Sequence, residues 1–202
     1  MVRAFAFNAM LKQTIFVLFA FCLNATAQDV PFPLNEIGKY EFNEIVELNG
    51  IDKDKLFENG QKFMKKVKVL NSKKKFYTEE KEDYMLKNRG SFYVYRLGSV
   101  KKGIGGAVEY DLTLEMKDGK YRYTITNFIF NEYQKNRYGK YEPINGKYTP
   151  LETEVSSLNK KEWDKQRQVV YDKSQELIQN LNSDMIYAEE KKNKKEKKDH
   201  NW

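Results

Sequence analysis

Apolar and polar residues alternate with period two from Tyr40 to Leu48: Tyr40, Phe42, Val46 and Leu48 fall on one side, Glu41, Asn43 and Glu47 on the other. That is the pattern of a half-buried strand, blurred only at Glu44 and Ile45. Asn49-Gly50 ends it and Asp52 is placed to cap a helix. Leu56, Phe57, Gly60, Phe63, Met64 and Val67 then recur on one helical face. Gly60 costs such a helix about 1 kcal/mol against alanine, so close packing on a sheet is the expected reason for it.

From 75 to 130 the chain is rich in Tyr, Phe, Val and Thr and is broken by Glu82-Asp83, by glycines between 98 and 106, and by Asp118-Gly119. Four strands are expected. In the last two, Val108, Tyr110, Leu112, Leu114 and Met116 point one way and Glu109, Asp111, Thr113, Glu115 and Lys117 the other. A two-residue type I′ turn at Asp118-Gly119 then pairs Lys117 with Lys120, Met116 with Tyr121, Glu115 with Arg122, Leu114 with Tyr123 and Leu112 with Ile125. Apolar meets apolar on one face and carboxylate meets guanidinium on the other, so one face is covered and one meets water.

A loop is expected over 131–157, followed by a long helix capped by Asn159, with Glu162 reaching back and Leu158 and Trp163 stapling the cap. Trp163, Val170, Leu177, Ile178 and Leu181 continue its apolar stripe. The result is an α+β fold: an antiparallel sheet of about five strands with two helices on one face, in the order β-α-β-β-β-β-α.

The first residues read differently. An apolar stretch over 14–23 follows Lys12 and closes on Ala25-Thr26-Ala27, the form of a cleaved secretory signal. It is about half the length needed to span a bilayer, and Phe21 stands before Cys22 where a lipid-attachment site wants a small residue. Met10 offers an alternative start. The reading is a signal peptide at 1–27, one domain at 28–187 and a disordered, solubilising charged tail at 188–202, exported to the periplasm or beyond with no membrane-spanning segment after cleavage. Loss of Arg3 and Lys12 takes the net charge from +7 to +5. Six lysines against Glu196 and Asp199 place most of that in the tail.

Cleavage also removes Cys22, the only cysteine, and the only histidine is His200. A folded body without either has no thiol nucleophile, disulfide, Cys/His metal site or imidazole base, so no catalytic, metal or cofactor site is assigned.

Several stretches in order carry a family resemblance: the strand over 41–48 followed by Gly50-Ile51-Asp52-Lys53-Asp54-Lys55-Leu56, the strand Gly90-Ser91-Phe92-Tyr93-Val94-Tyr95, the hairpin over 108–126 turning at Lys117-Asp118-Gly119-Lys120, and the helix containing Trp163. Up to about Leu181 the chain resembles a family of secreted bacterial domains of unknown function with a TATA-binding-protein-like fold. The resemblance implies fold and export and supplies no active site. Such a fold name says nothing of DNA binding.

Four constellations bear on chemistry or binding. Glu109, Asp111 and Glu115 share a polar face at about 6.7 Å per pair of residues, a spacing compatible with a carboxylate hydrolase but expected of any strand with alternating acids. Arg89-Gly90-Ser91-Phe92-Tyr93-Val94-Tyr95 matches an RNA-binding aromatic strand only in part, and export argues against nucleic acid as a partner. Gly103-Ile104-Gly105-Gly106 lacks the context of a phosphate loop and reads as a flexible connection.

The candidate binding surface is the loop over 133–148. There Tyr133, Tyr138, Tyr141 and Tyr148 interleave with Lys135, Arg137, Lys140 and Lys147. The chain is read as a non-catalytic module binding an envelope protein or glycan there. The alternative is a carrier of a small apolar ligand between sheet and C-terminal helix, with Phe92, Val94, Tyr110, Leu112, Tyr123 and Ile125 lining or filling the space.

Overall fold

The computed structural model describes residues 32–70, 72, 74–95 and 103–199, with side chains for all of these except 157, 158 and 187–199. Residues 1–27, read from the sequence as a signal, together with Cys22 and His200, lie outside them. Strand β1 (Glu41–Glu47) precedes helix α1 (Lys53–Met64); β2 (Thr78–Glu80), β3 (Met85–Tyr95), β4 (Ile104–Lys117), β5 (Lys120–Lys135) and β6 (Tyr141–Pro150) follow; helix α2 (Ser157–Asp199) ends the fold. The strands form one antiparallel sheet in the order β1-β5-β4-β3-β2, and β6 also pairs with β5. Long β5 pairs with β4 and with two further strands, β1 along 120–126 and β6 along 129–135.

The alternation in the sequence carries straight into the core. Leu86, Val108, Tyr110, Leu112, Leu114, Met116, Tyr121, Tyr123 and Ile125 are buried, and β4 meets β5 in the expected register from Leu112↔Ile125 to Lys117↔Lys120. Both helices lie on that apolar face. Asp52 caps α1 by accepting from Lys55 N at 2.7 Å. A Cβ on Gly60 would come within 2.4 Å of Met116 Cε and 3.0 Å of Leu86 Cδ1, so Gly60 does sit against the sheet. On α2, Trp163, Val170, Ile178, Leu181 and Met185 are buried, and Asn59 Nδ2 ties α1 to Met185 O at 2.8 Å. Val94, Tyr110, Leu112, Tyr123 and Ile125 fill the space between the layers.

The structure departs from the sequence reading in five places. The sheet has six strands, because the segment read as a loop over 131–157 extends β5 to Lys135 and folds back as β6. Strand β4 begins at Ile104, within the glycine stretch read as a connection. Gly106 lets the backbone pass close to β5, since a Cβ there would lie 2.4 Å from Asn131 O. At the hairpin turn only Gly119 has positive φ, 72°, which is not the type I′ form. That turn is held by its neighbours instead: Leu48 N donates to Gly119 O, Gly119 N to Ile51 O, and Lys53 N to Asp118 Oδ1. Helix α2 starts at Ser157, so Asn159 sits in its first turn rather than capping it. Its backbone runs on to Asp199, past the expected boundary at 188, through a Lys/Glu-rich stretch without Gly or Pro.

Glu58 on α1 lies 2.6 Å from Lys62 Nζ and 2.9 Å from Lys55 Nζ. Hydrogen bonds from Lys62 and then Lys55 hold its carboxyl down at about 2. A depressed folded value means stabilisation that is present above the ordinary 4.5 and lost as pH falls towards 2. Glu58 and Lys62 are half exposed and Lys55 is partly so, and solvent screens the group, so Glu58→Gln is expected to lower stability by less than about 1 kcal/mol at pH 7. Urea melts at pH 7 and pH 2 check this: the deficit should shrink at the lower pH, and a deficit that grows there would contradict the assignment.

Candidate functional site

The end of the sheet built from the β5–β6 hairpin carries the sequence-predicted surface. Asn136 makes the turn: its Oδ1 accepts from Tyr138 N at 2.9 Å and Lys140 N at 3.0 Å, and Gly139 takes φ 78°. Arg137, Tyr138 and Lys140 are exposed at this tip, with the Arg137 guanidinium 4.7 Å from the Tyr138 ring centroid. Tyr141 is half-buried beside them. Tyr133 is buried and stands edge-on to Tyr93, with ring centroids 6.1 Å apart, so it belongs to the hairpin's support and not to its surface.

Tyr148 lies elsewhere. The pairing partner jumps from Tyr148 opposite Asn131 to Pro143 opposite Tyr133, so 144–147 loop out of β6, with Gly146 at φ 76°. This outward loop and the first turns of α2 enclose a cleft of about 560 Å³. Phe130 and Trp163 form its apolar wall, ring edge on ring face at 5.7 Å. Glu132, Lys147, Asn159 and Glu162 supply polar groups, and the Tyr148 ring, 67% exposed, stands at its mouth. Arg167 fixes the helix against the hairpin by donating to Leu151 O and Thr153 O, each at 3.2 Å, while Leu151 N donates to Phe128 O at 3.0 Å.

Two polar atoms in the cleft wall have no hydrogen-bond partner among the described residues: Trp163 Nε1, a donor, and Gln166 Oε1, an acceptor, one helical turn apart. Buried polar atoms are ordinarily satisfied, so such a pair at a concave surface is informative. Of the aromatic and basic residues of the predicted surface, Tyr148 and its neighbour Lys147 reach this cleft. The sequence places Trp163 on the apolar stripe of α2 and gives no signal at Gln166. The apolar stripe of α2 gave their spacing but not the hairpin that faces them.

The open face of the sheet holds the three acids in pairs. Asp111 accepts from Arg89 Nε at 2.7 Å and Asn127 Nδ2 at 2.9 Å, Glu109 from Asn131 Nδ2 at 3.0 Å, and Glu115 from Arg122 Nη1 at 3.4 Å. Each has a plain structural partner.

Residues 42–131 match the model of the family described as a domain of unknown function (DUF4468) with TBP-like fold. The fold of the chain is shared by two crystal structures. One is a TBP-like protein from Parabacteroides distasonis ATCC 8503, at TM-score 0.59 and 13% identity over 77% of this chain and 97% of that one. The other is a DUF4468 family protein from Bacteroides ovatus ATCC 8483, at TM-score 0.53 and 14% identity over 78% and 94%. No curated protein matches the chain. The DUF4468 match covers β1 to most of β5, so most of the cleft, contributed by β6 and α2, lies beyond it. The resemblance in order of elements is thus confirmed for the fold, and it assigns no activity.

Proposed function

We propose that this protein is a non-catalytic module of the bacterial cell envelope that binds a neutral glycan in the cleft between the outward loop of β6 and the start of α2. The observation that carries the reading is the unpartnered pair Trp163 Nε1 and Gln166 Oε1 beside the exposed Tyr148 ring. A sugar acetamido group complements that pair, its carbonyl accepting from the indole and its N–H donating to the glutamine oxygen. Glu132 and Glu162 accept from hydroxyls, and a tyrosine face covers the apolar side of a pyranose ring. Both unpartnered atoms are sealed from water, so engaging them requires a side-chain rotation in the wall. The reading of residues 1–27 as an export signal supports this, since an exported module meets such glycans.

The chain has two tryptophans, so the Trp163 indole N–H is one of two indole signals in a nitrogen-15 correlation spectrum, and Trp202→Phe assigns it. Titration with an N-acetylglucosamine trimer is expected to move that signal, and Tyr148→Ala to weaken binding about tenfold with an unchanged melting temperature. Silence of the Trp163 signal, or binding indifferent to Tyr148→Ala, overturns the reading; capture of an envelope protein by the Arg137-Tyr138 tip would replace it with a protein interface.

A further inference from the structure

A second concave surface lies on the other side of the fold, where the segment after α1 returns to β3. Asn88 holds that segment in place: its Nδ2 donates to Met64 O at 2.9 Å and Val67 O at 3.2 Å. Ser91 adds two anchors, its Oγ accepting from Leu70 N at 2.7 Å and its N–H donating to Lys68 O at 3.1 Å. Between the pinned segment and the sheet opens a cleft of about 460 Å³, within the size range of small-molecule sites. Met64, Val67, Val69 and Phe76 give it an apolar floor.

The rim has one sign of charge. Lys65, Lys68, Lys74 and Lys75 surround it, all exposed, and among the described residues none of them has a carboxylate within ion-pair distance, whereas neighbouring Lys66 is engaged by Asp184 at 2.6 Å. The fifth cation, Arg89, is neutralised by Asp111 and lies over the Phe76 ring at 5.3 Å, where it closes one side of the cleft. Among the described residues, no acidic side chain lines the cleft. Glu79 approaches it but is taken up by Tyr77 Oη and Gln61 Nε2. Four uncompensated ammonium groups around an apolar floor complement one kind of molecule: a headgroup with negative charge on a hydrocarbon chain. A purely polar anion leaves the floor unused, and a neutral apolar molecule leaves the lysines unused.

We infer that this cleft binds a single-chain anionic amphiphile, taken up as a free monomer, at a site separate from the glycan cleft. The probe is dodecyl phosphate below its micelle concentration, titrated into the full chain by isothermal calorimetry. It should bind at one site. Replacing Lys65, Lys68, Lys74 and Lys75 together by Gln should weaken it at least tenfold with an unchanged melting temperature, because all four side chains are exposed. The same replacement at Lys191, Lys192, Lys194 and Lys195 of the tail should leave it unchanged, which excludes non-specific attraction to the tail. Val69→Asn tests the floor independently and should also weaken binding. Inorganic phosphate or dodecyl maltoside binding as tightly as dodecyl phosphate would overturn the assignment. So would equal binding by the four-lysine variant. Co-sedimentation with phosphatidylglycerol vesicles in the absence of monomer binding would transfer the site to a membrane surface and also overturn it.

Discussion

Phe128→Ala is expected to destabilise the protein by about 3–5 kcal/mol, the largest effect of any substitution considered. The side chain is 1% exposed, and its ring stands edge-on to Phe32 at 6.0 Å and Phe42 at 6.1 Å while lying 6.3 Å from Tyr110. One deletion therefore opens a cavity between the lead-in segment, β1, β4 and β5. The position exists because of a bulge: Glu109 opposes Ile129 and Asp111 opposes Thr126, so two residues of β4 span three of β5, and Asn127 takes the slack at φ 57°. The bulge turns Phe128 inward beside Ile125, where strict alternation would have placed Asn127. Urea unfolding measures the loss, and a value below about 1 kcal/mol would mean that Phe128 is not a central core residue.

Gly90→Ala is expected to cost about 1–3 kcal/mol, while Gly60→Ala stays within about 1 kcal/mol of the parent. Both glycines are pressed against the core, so the contrast tests what presses on them. A Cβ on Gly90 would lie 2.3 Å from Tyr110 Oη, 2.4 Å from Tyr110 Cζ and 2.8 Å from Val67 Cγ1. Tyr110 is 5% exposed and its rigid ring has little space to retreat. At Gly60 the tightest contact is the terminal methyl of Met116, which can swing aside, and alanine regains about 1 kcal/mol of helix propensity. Equal losses for the two variants in parallel thermal melts would refute the argument from side-chain flexibility.

The candidate site was legible only in part. Tyr138, Arg137 and Lys140 stand exposed at a turn, as an aromatic and basic segment between sheet elements suggests. Tyr133 has the same residue type and local sequence character but faces Tyr93 and is buried. Nothing local distinguishes a tyrosine on the solvent side of a hairpin from one on its packed side when the strand itself has not been recognised. The strand went unrecognised because β6 contains Pro143, Asn145, Gly146 and Pro150, residues of low strand propensity that an edge position with an outward loop tolerates. The basic cleft was missed for a similar reason: lysines at 65, 68, 74 and 75 look like ordinary solvated charges until the chain folds back along β3.

Residue order alone determined the period-two and helical stripes, the cap at Asp52, the close seat of Gly60 and the register of the β4–β5 hairpin, because each depends on neighbours a few positions apart. Tertiary structure decided what depends on distant partners. It set the turn form at Asp118-Gly119, where hydrogen bonds from the β1–α1 connection hold the backbone, and the inward turn of Phe128, which follows from a mismatch in length between two paired strands. It also brought Tyr148 beside Trp163 and gathered four lysines around Phe76, since a cleft is a property of surfaces that meet and no single stretch of the chain contains both of its walls.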